Sequence, residues 1–514
     1  MKKLILLFIL TFILISCKSS QYVLFSDNKE TETIILDIKN ISPINNGIFE
    51  GWGTSLCWWG NRIGGNEKLS NDAAKLFFSE DEGIGLNIVR YNIGGGDDPN
   101  HKHITRSDSA MPGFLVYNEE LNSYEYDWTK DYRQRNVLKK IVKENKDVIV
   151  EFFSNSPPYF MTKSGCTSGA IKGSKDNLKK EYFEAFADYL ANVTYNLSRQ
   201  DGINVQSVEP LNESSANWEA FSWKQEGSHF SIKNKEKIIE LTRNALDAKG
   251  LSNVIVSGSD ETGSGVTYNI FFLFSKKIKN KIGRINTHTY WYPKYKALRN
   301  VAIKYNKKLW VSETDSPHLL GKDNGEMGPA LSLGRKIITD MNGLKPSAWI
   351  IWQVISGYDC LVEFNGVVDG YNHENFSGSC WGVASGDFIN EKLILSKKYY
   401  GFGQFTKYIR PNSYIIYTEN ENYIASFNKE NNYISIVCLN PENYSKTCSF
   451  DLTSFLLKWN NIKTIRTSGM DINEGENLAE VDGCIIKSEN NTFSAELIPN
   501  SITTFIIEGV KIYE

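Results

Sequence analysis

The sequence predicts an α/β fold, a (β/α)8 TIM barrel with a fused side β-sandwich, and three observations carry the prediction. Eight short apolar runs rich in β-branched and aromatic residues recur between residues 47 and 355, as strands covered on both faces do. Segments with apolar residues three and four apart lie between them, the helical half of a βα repeat. After Arg410-Pro411 the helical spacing stops and short alternating runs take over, the texture of antiparallel sheets. A length of 514 residues suits two domains, since such a barrel takes about 250 residues or more.

The expected strands are 47–53, 86–93, 147–153, 204–209, 253–258, 283–288, 308–313 and 347–353. Helical stripes separate them. Tyr182, Phe183, Phe186, Leu190, Val193 and Leu197 line one face of 177–198, and Ile238, Ile239, Leu241 and Leu246 one face of 234–248, with Gly250 as a stop. Further helices are expected to start near Ser70-Asn71-Asp72, Asp131 and Gly328. A doubly wound open sheet is the weaker alternative, because no Gly-x-Gly-x-x-Gly opens a helix after the first strand. Residues 413–514 hold the alternating runs of the sandwich, and 30–42 read as a strand that joins it. The domains expected are therefore 1–17, 18–42 as tether and strand, 43–410 as barrel and 411–514 as sandwich.

The N-terminus points to a compartment. Lys2 and Lys3 precede an apolar run from Leu4 to Ile15, a signal-peptide pattern shorter than the ~20 residues of a membrane span. Leu14-Ile15-Ser16-Cys17 resembles a bacterial lipobox, so Cys17 is the expected lipidation site and the bacterial cell envelope the expected location. A plain signal peptide with a chance cysteine is the alternative. Of the other seven cysteines, Cys360 and Cys380 flank a loop that one disulfide would close, and seven unpaired thiols are the equal alternative. No Cys-x-x-Cys occurs and no zinc spacing is present.

Composition excludes other classes. With 57 Lys+Arg against 60 Asp+Glu the net charge is −3, so the chain lacks the basic excess that phosphate backbones demand. With 41% apolar and 23% charged residues it is not a disordered chain. Its 12 Trp, 26 Tyr and 27 Phe are either ordinary core or a surface that stacks on flat apolar ligand faces.

Chemistry in a barrel sits where strands end at the C-terminal face. The fourth expected strand runs into Val208-Glu209-Pro210-Leu211-Asn212-Glu213, and the seventh into Leu309-Trp310-Val311-Ser312-Glu313-Thr314. Two carboxyls facing each other cleave a glycosidic bond, one as acid and one as nucleophile. A separation of about 5–5.5 Å gives retention and about 6.5–9.5 Å inversion. Asn212, just before Glu213, is placed to hold a sugar 2-hydroxyl. A single strand-end glutamate is more often a solvated surface group, and the pairing of the two strands raises this one above that background.

The residues now resemble a family. Glu-Pro-Leu-Asn-Glu at 209–213 and Val-Ser-Glu at 311–313 look like the acid/base and nucleophile strands of clan A retaining glycosidases. Four further stretches resemble glycoside hydrolase family 30: the Gly-Trp-Gly-Thr-Ser-Leu-Cys-Trp-Trp at 51–59, the run 85–96 ending in Gly94-Gly95-Gly96, the Ser-Asn-Ser-Pro-Pro-Tyr-Phe-Met at 154–161, and 400–411. The resemblance covers residues 30–514, and its opening motif is most similar to the endo-β-1,6-galactanase branch. It implies a barrel with a side β-sandwich, no metal or organic cofactor, a polysaccharide or oligosaccharide substrate, Glu213 as acid/base and Glu313 as nucleophile. Other specificities of the family (β-1,6-glucanase, β-xylosidase or β-fucosidase, glucosylceramidase-like) are alternatives, with glucuronoxylan disfavoured.

Further residues follow from position. Arg90, ending the second strand, either binds the sugar, keeps the nucleophile ionised, or forms a buried ion pair. Tyr290 is placed to hydrogen-bond Glu313, while His288 is either a site residue or a satisfied core histidine. Trp58, Trp59, Trp352 and Trp381 are candidate sugar platforms, each with core packing as the alternative. Asp97 and Asp98 either reach hydroxyls or lie in a solvated loop. Asp260 and Glu261 are decoys for the nucleophile. The triple glycine lacks the Lys-Ser/Thr of a phosphate cradle, and Ser154 and Ser312 lack a nucleophile elbow. The expectation is a lipid-anchored, monomeric retaining endo-β-1,6-galactanase acting on arabinogalactan-type side chains, in contact with membrane only through its lipid. A non-catalytic glycan-binding lipoprotein is the alternative from another class.

Overall fold

The computed structural model describes residues 32–100, 103–104, 106–221, 225–316, 327–355, 381–387, 390–457, 462–470, 473–489 and 491–513. The signal segment with Cys17, the start of the tether, and the Cys360–Cys380 pair lie outside the described residues.

Eight parallel strands close into a barrel in sequential order. They are β1 (Gly51–Ser55), β2 (Ile88–Asn92), β3 (Ile149–Phe153), β4 (Val205–Glu209), β5 (Ile255–Glu261), β6 (Ile282–His288), β7 (Lys308–Thr314) and β8 (Ala348–Ile351). Closure pairs β8 with β1, Trp349 opposite Trp52. A long helix follows each strand: α1 (Glu67–Phe78), α2 (Tyr132–Glu144), α3 (Phe183–Gln200), α4 (Ile232–Ala248), α5 (Ser264–Leu273), α6 (Tyr295–Lys304), α7 (Met327–Leu344) and α8 (Lys397–Thr406).

The departures from expectation sit at element ends and have local causes. The first strand begins at Gly51, not 47, because Asn45, Asn46 and Gly47 take positive φ and form a short 3-10 turn. Helix α1 begins earlier than expected, since the Asn66 side chain caps it by accepting from Leu69 N at 2.9 Å. Strand β5 runs on to Glu261, which places Asp260 and Glu261 within the barrel.

Apolar packing lies between strands and helices, where Trp52, Trp59, Phe77, Leu138 and Ile337 are buried in one continuous core. The barrel interior has an apolar floor of Ile88, Trp310, Ala348 and Ile350 and a polar layer above it. Glu151 on β3 accepts from Arg90 Nε (2.9 Å), Ser207 Oγ (2.9 Å), Ser257 Oγ (2.8 Å) and Asn286 Nδ2 (3.0 Å), and pairs with Arg284. Barrels of this kind are ordinarily filled with branched apolar residues. Here such residues fill only the lower layer, and an ion-pair network takes the upper one, beneath the C-terminal mouth.

The sandwich consists of a six-stranded and a four-stranded sheet. The N-terminal strand Glu32–Ile35 pairs in parallel with Lys446–Asp451 in the smaller one. Phe450, Phe493 and Phe505 stack between the sheets, with centroids 4.8 to 5.8 Å apart. Helix α8 welds the domains. Its Phe402 and Phe405 share the barrel core with Leu439 and Ile502 of the sandwich, and its Gln404 bonds Thr467 and Thr504 at 2.9 and 2.6 Å. Among the described residues the five cysteines are buried free thiols, and no helix is long and apolar enough to cross a membrane.

Candidate active site

Proline at 210 cannot donate to the ladder, so β4 ends at Glu209 and the chain turns into the mouth of the barrel. Glu213 sits in this turn with a left-handed φ of 46°, a conformation that a non-glycine residue holds only when its surroundings impose it. They do. Its N–H donates to Asp260 O at 2.8 Å, and its carbonyl accepts from Ala216 N at 2.9 Å and the Trp218 indole at 3.0 Å. Glu313 ends β7 and is buried. One carboxyl oxygen of each glutamate and one ring nitrogen of His288 all lie within 4.8 Å of one another.

Three groups hold the Glu313 carboxyl. Tyr290 Oη donates at 3.1 Å, Arg90 Nη1 approaches at 3.4 Å, and His288 Nδ1 lies 3.6 Å away. Burial, together with the Glu213 and Asp260 charges, pushes Glu313 up to about 7, against the pull of His288 and Arg90. Burial alone would favour neutral His288, but Glu313 and Asp260 raise it well above an ordinary imidazole and keep it charged. Its Nδ1 lies 3.0 Å from Glu213 Oε1 and its Nε2 3.2 Å from Asp260. Asp260 also takes Ser312 Oγ and Arg90 as partners and is held below the usual carboxylate range, Arg90 and His288 outweighing its burial. Glu213, His288 and Glu313 are close enough to hold a cation, but charged His288 already supplies the positive group there.

Above the pair opens a pocket of about 200 Å³ lined by Cys57, Trp58, Phe153, Asn155, Asn212, Glu213, Gln225, Tyr290, Glu313, Trp352 and Trp381. Its aromatics form a cage. Trp58 meets Trp352 edge-on at 5.1 Å, Trp352 meets Trp381 at 4.9 Å, and Trp381 meets Tyr290 at 6.2 Å. Asn212 Oδ1 and Trp58 Nε1 are buried and have no hydrogen-bond partner among the described residues. Such groups are costly unless a ligand satisfies them, and both belong to residues that line the pocket.

Several expected ligands lie elsewhere. Trp59 is no sugar platform: it is fully buried against Phe77, with its indole N–H on Ser55 O at 2.7 Å. The chain turns helical at Trp59, so the two adjacent tryptophans part, one to the pocket and one to the core. Asp97 does not line the pocket. Its carboxylate folds its own loop by accepting from His103 N and Ile104 N at 2.9 and 3.2 Å. Arg90 and His288 are fully buried beneath the carboxyl pair and do not line the pocket. Glu261 faces away, tied to Lys235 and to Ser215 N (3.0 Å).

The pocket residues Cys57, Phe153, Asn155 and Gln225 were not anticipated, and neither was the Glu151 network. Glu151 had a signal, a lone charge inside the apolar run 147–153. Trp59→Ala is expected to cost about 3–5 kcal/mol of stability with KM unchanged, whereas Trp58→Ala raises KM. Denaturant unfolding and steady-state kinetics on the two variants check this.

A (β/α)8 barrel that sets two carboxyl groups face to face at the C-terminal ends of β4 and β7, beneath an aromatic cage, is built to hydrolyse glycosides. Residues 38–289 match the model of O-glycosyl hydrolase family 30. Over that stretch the chain is similar to glycoside hydrolase family 30. Over 511 residues it is 29% identical to an endo-β-1,6-galactanase of Hypocrea rufa, covering 95% of this chain and 97% of that one. It is 26% identical over 401 residues to an exo-β-1,6-galactobiohydrolase of Bifidobacterium longum subsp. longum, covering 60% of this chain and 26% of that one. The solved catalytic domain of the family 30 xylanase C from Talaromyces cellulolyticus shares its fold, with a TM-score of 0.66, 17% identity, and coverage of 93% of this chain and 100% of that one.

Proposed function

We propose that this glycoside hydrolase is an endo-β-1,6-galactanase acting on arabinogalactan-type side chains, with Glu213 as acid/base and Glu313 as nucleophile. The observation that carries the substrate reading is the end-to-end match to a protein of that activity, 95% of one chain on 97% of the other. The approach of the two carboxyls to within 4.8 Å supports the assigned roles, since it leaves no room for a water between them.

In the first step Glu213 gives its proton to the glycosidic oxygen while Glu313 attacks the anomeric carbon and forms an ester. In the second, Glu213 takes a proton from water, whose oxygen releases the sugar with retention. Charged His288 donates Nδ1–H to Glu213 Oε1 at 3.0 Å, which leaves Oε2 to carry the transferred proton. Arg90 and Tyr290 stabilise the Glu313 carboxylate as attacking group. Asn212 and Trp58 offer their unsatisfied atoms to sugar hydroxyls. The lipobox-like segment ending in Cys17 supports an enzyme anchored by lipid in a bacterial cell envelope.

The test is a panel of β-1,6-galactan, β-1,6-glucan and xylan, with products resolved by chain length and anomeric configuration. Internal cleavage of the galactan with β-anomeric first products is expected. Release of products from glucan or xylan alone sinks the galactan reading.

A further inference from the structure

Next along the chain from the pocket residue Tyr290 stands an aromatic that the catalytic steps leave unused. Trp291 follows Tyr290, the residue that donates to Glu313, yet it is 61% exposed. Among the described residues no ring packs on its faces. An exposed indole normally wanders, but this one is held. Its Nε1–H donates to Thr262 Oγ1 at 3.1 Å, one residue beyond the end of β5. Its backbone lies so close to Gly263 that an added Cβ would come within 2.0 Å of Trp291 O, and a Cβ on Gly265 would strike the Tyr292 ring at 2.3 Å. The Gly265 N–H bonds Tyr292 O at 2.9 Å, and Tyr292 itself takes a left-handed φ of 49°. Two glycines at the start of α5 thus let the 291–292 segment seat tightly and present the indole face outward.

Its place relative to the carboxyl pair gives the face a use. The end of β5 braces Trp291 through Thr262 and braces the acid/base loop as well, through Asp260 O to Glu213 N (2.8 Å) and Glu261 to Ser215 N (3.0 Å). The aromatic cage of Trp58, Trp352 and Trp381 lies on the opposite, β8–β1 side. A sugar held in the cage therefore directs its leaving group toward β4, β5 and β6, where Glu213 protonates it and where Trp291 stands next along the chain. A rigid, solvent-facing indole is the group on which the apolar face of a pyranose packs.

We propose that Trp291 is the platform of a leaving-group subsite, taking the sugar ring on the far side of the scissile bond. The proposal rests on the assignment of Glu213 as the acid and adds a specificity residue to it. Pre-organisation by Thr262 and the two glycines lets the stacking contact form without first ordering the side chain.

The test compares wild type, Trp291→Ala and Trp291→Phe on two substrates. One is β-1,6-galactan, and the other the fluoride of β-1,6-galactobiose, whose one-atom leaving group cannot reach the platform. Trp291→Ala is expected to raise KM for the polymer about tenfold and to leave kcat/KM for the fluoride within about twofold, with Trp291→Phe close to wild type on both. Equal losses on both substrates, or an unchanged polymer KM, overturn the proposal. Wild type that leaves galactan intact instead sinks the galactan reading, and the comparison is then run on the polymer of the panel that wild type cleaves, with that sugar's fluoride.

Discussion

Glu313→Ala is expected to lower kcat by about 10^6-fold, the scale seen when a covalent nucleophile is removed, and added azide restores turnover of an activated aryl glycoside. The anion enters the space left by the carboxylate and attacks the anomeric carbon directly, giving an azide of inverted configuration. Glu213→Ala behaves differently. An activated leaving group departs without a proton, so the first step survives, the second slows by about 10²–10⁴-fold, and azide yields a glycosyl azide of retained configuration. Anomeric analysis of the two azide products by NMR separates the roles. If Glu313→Ala gave the retained azide and Glu213→Ala the inverted one, the assignment would be reversed. Neither variant should unfold, because Glu213 is partly exposed and Glu313 keeps Tyr290, His288 and Arg90 around the vacated space.

The second large effect is expected at Arg90, which does not line the pocket. Its guanidinium ties Glu151 (2.9 Å), Asp260 (2.5 Å) and Glu313 (3.4 Å) together with no exposure to water. Arg90→Met strands buried carboxylates, which costs about 3–5 kcal/mol of folding stability. Arg90→Lys recovers little, because an ammonium cannot fork to three acids on different strands. Arg90 also lowers the Glu313 pKa. A raised carboxyl pKa means that the nucleophile is ionised only at higher pH, so the acid limb of kcat/KM moves upward in any variant that still folds. Urea unfolding and pH–rate profiles measure the two effects. A variant with unchanged stability and an unmoved acid limb would falsify the keystone role.

How much of this was legible in the sequence differs from residue to residue. The order of barrel elements was, because each strand-then-helix unit announces itself by a local switch of period. The placing of Glu213 and Glu313 at the barrel mouth was, because Glu313 lies at the end of β7 and Glu213 in the turn just past β4, each within a local motif. Trp58 and Trp59 were not separable, since their fates diverge only through the helical turn that starts between them. Asp97 looked available for hydroxyls, yet it is consumed by backbone N–H groups six and seven residues on, a loop closure that no periodicity encodes.

What the sequence determined by itself was the fold class, the strand ends that carry the carboxyls, and the aromatic supply. Those features depend on near neighbours in the chain. The tertiary structure alone decided which charges meet. Arg90, Glu151, Asp260, His288 and Glu313 come from five strands spread over more than 200 residues, and closing the barrel brings them within hydrogen-bonding reach. In that enclosed, weakly screened interior their mutual fields set the protonation of Glu313, and fields of that kind depend on distance in space, which the order of residues along a chain does not contain.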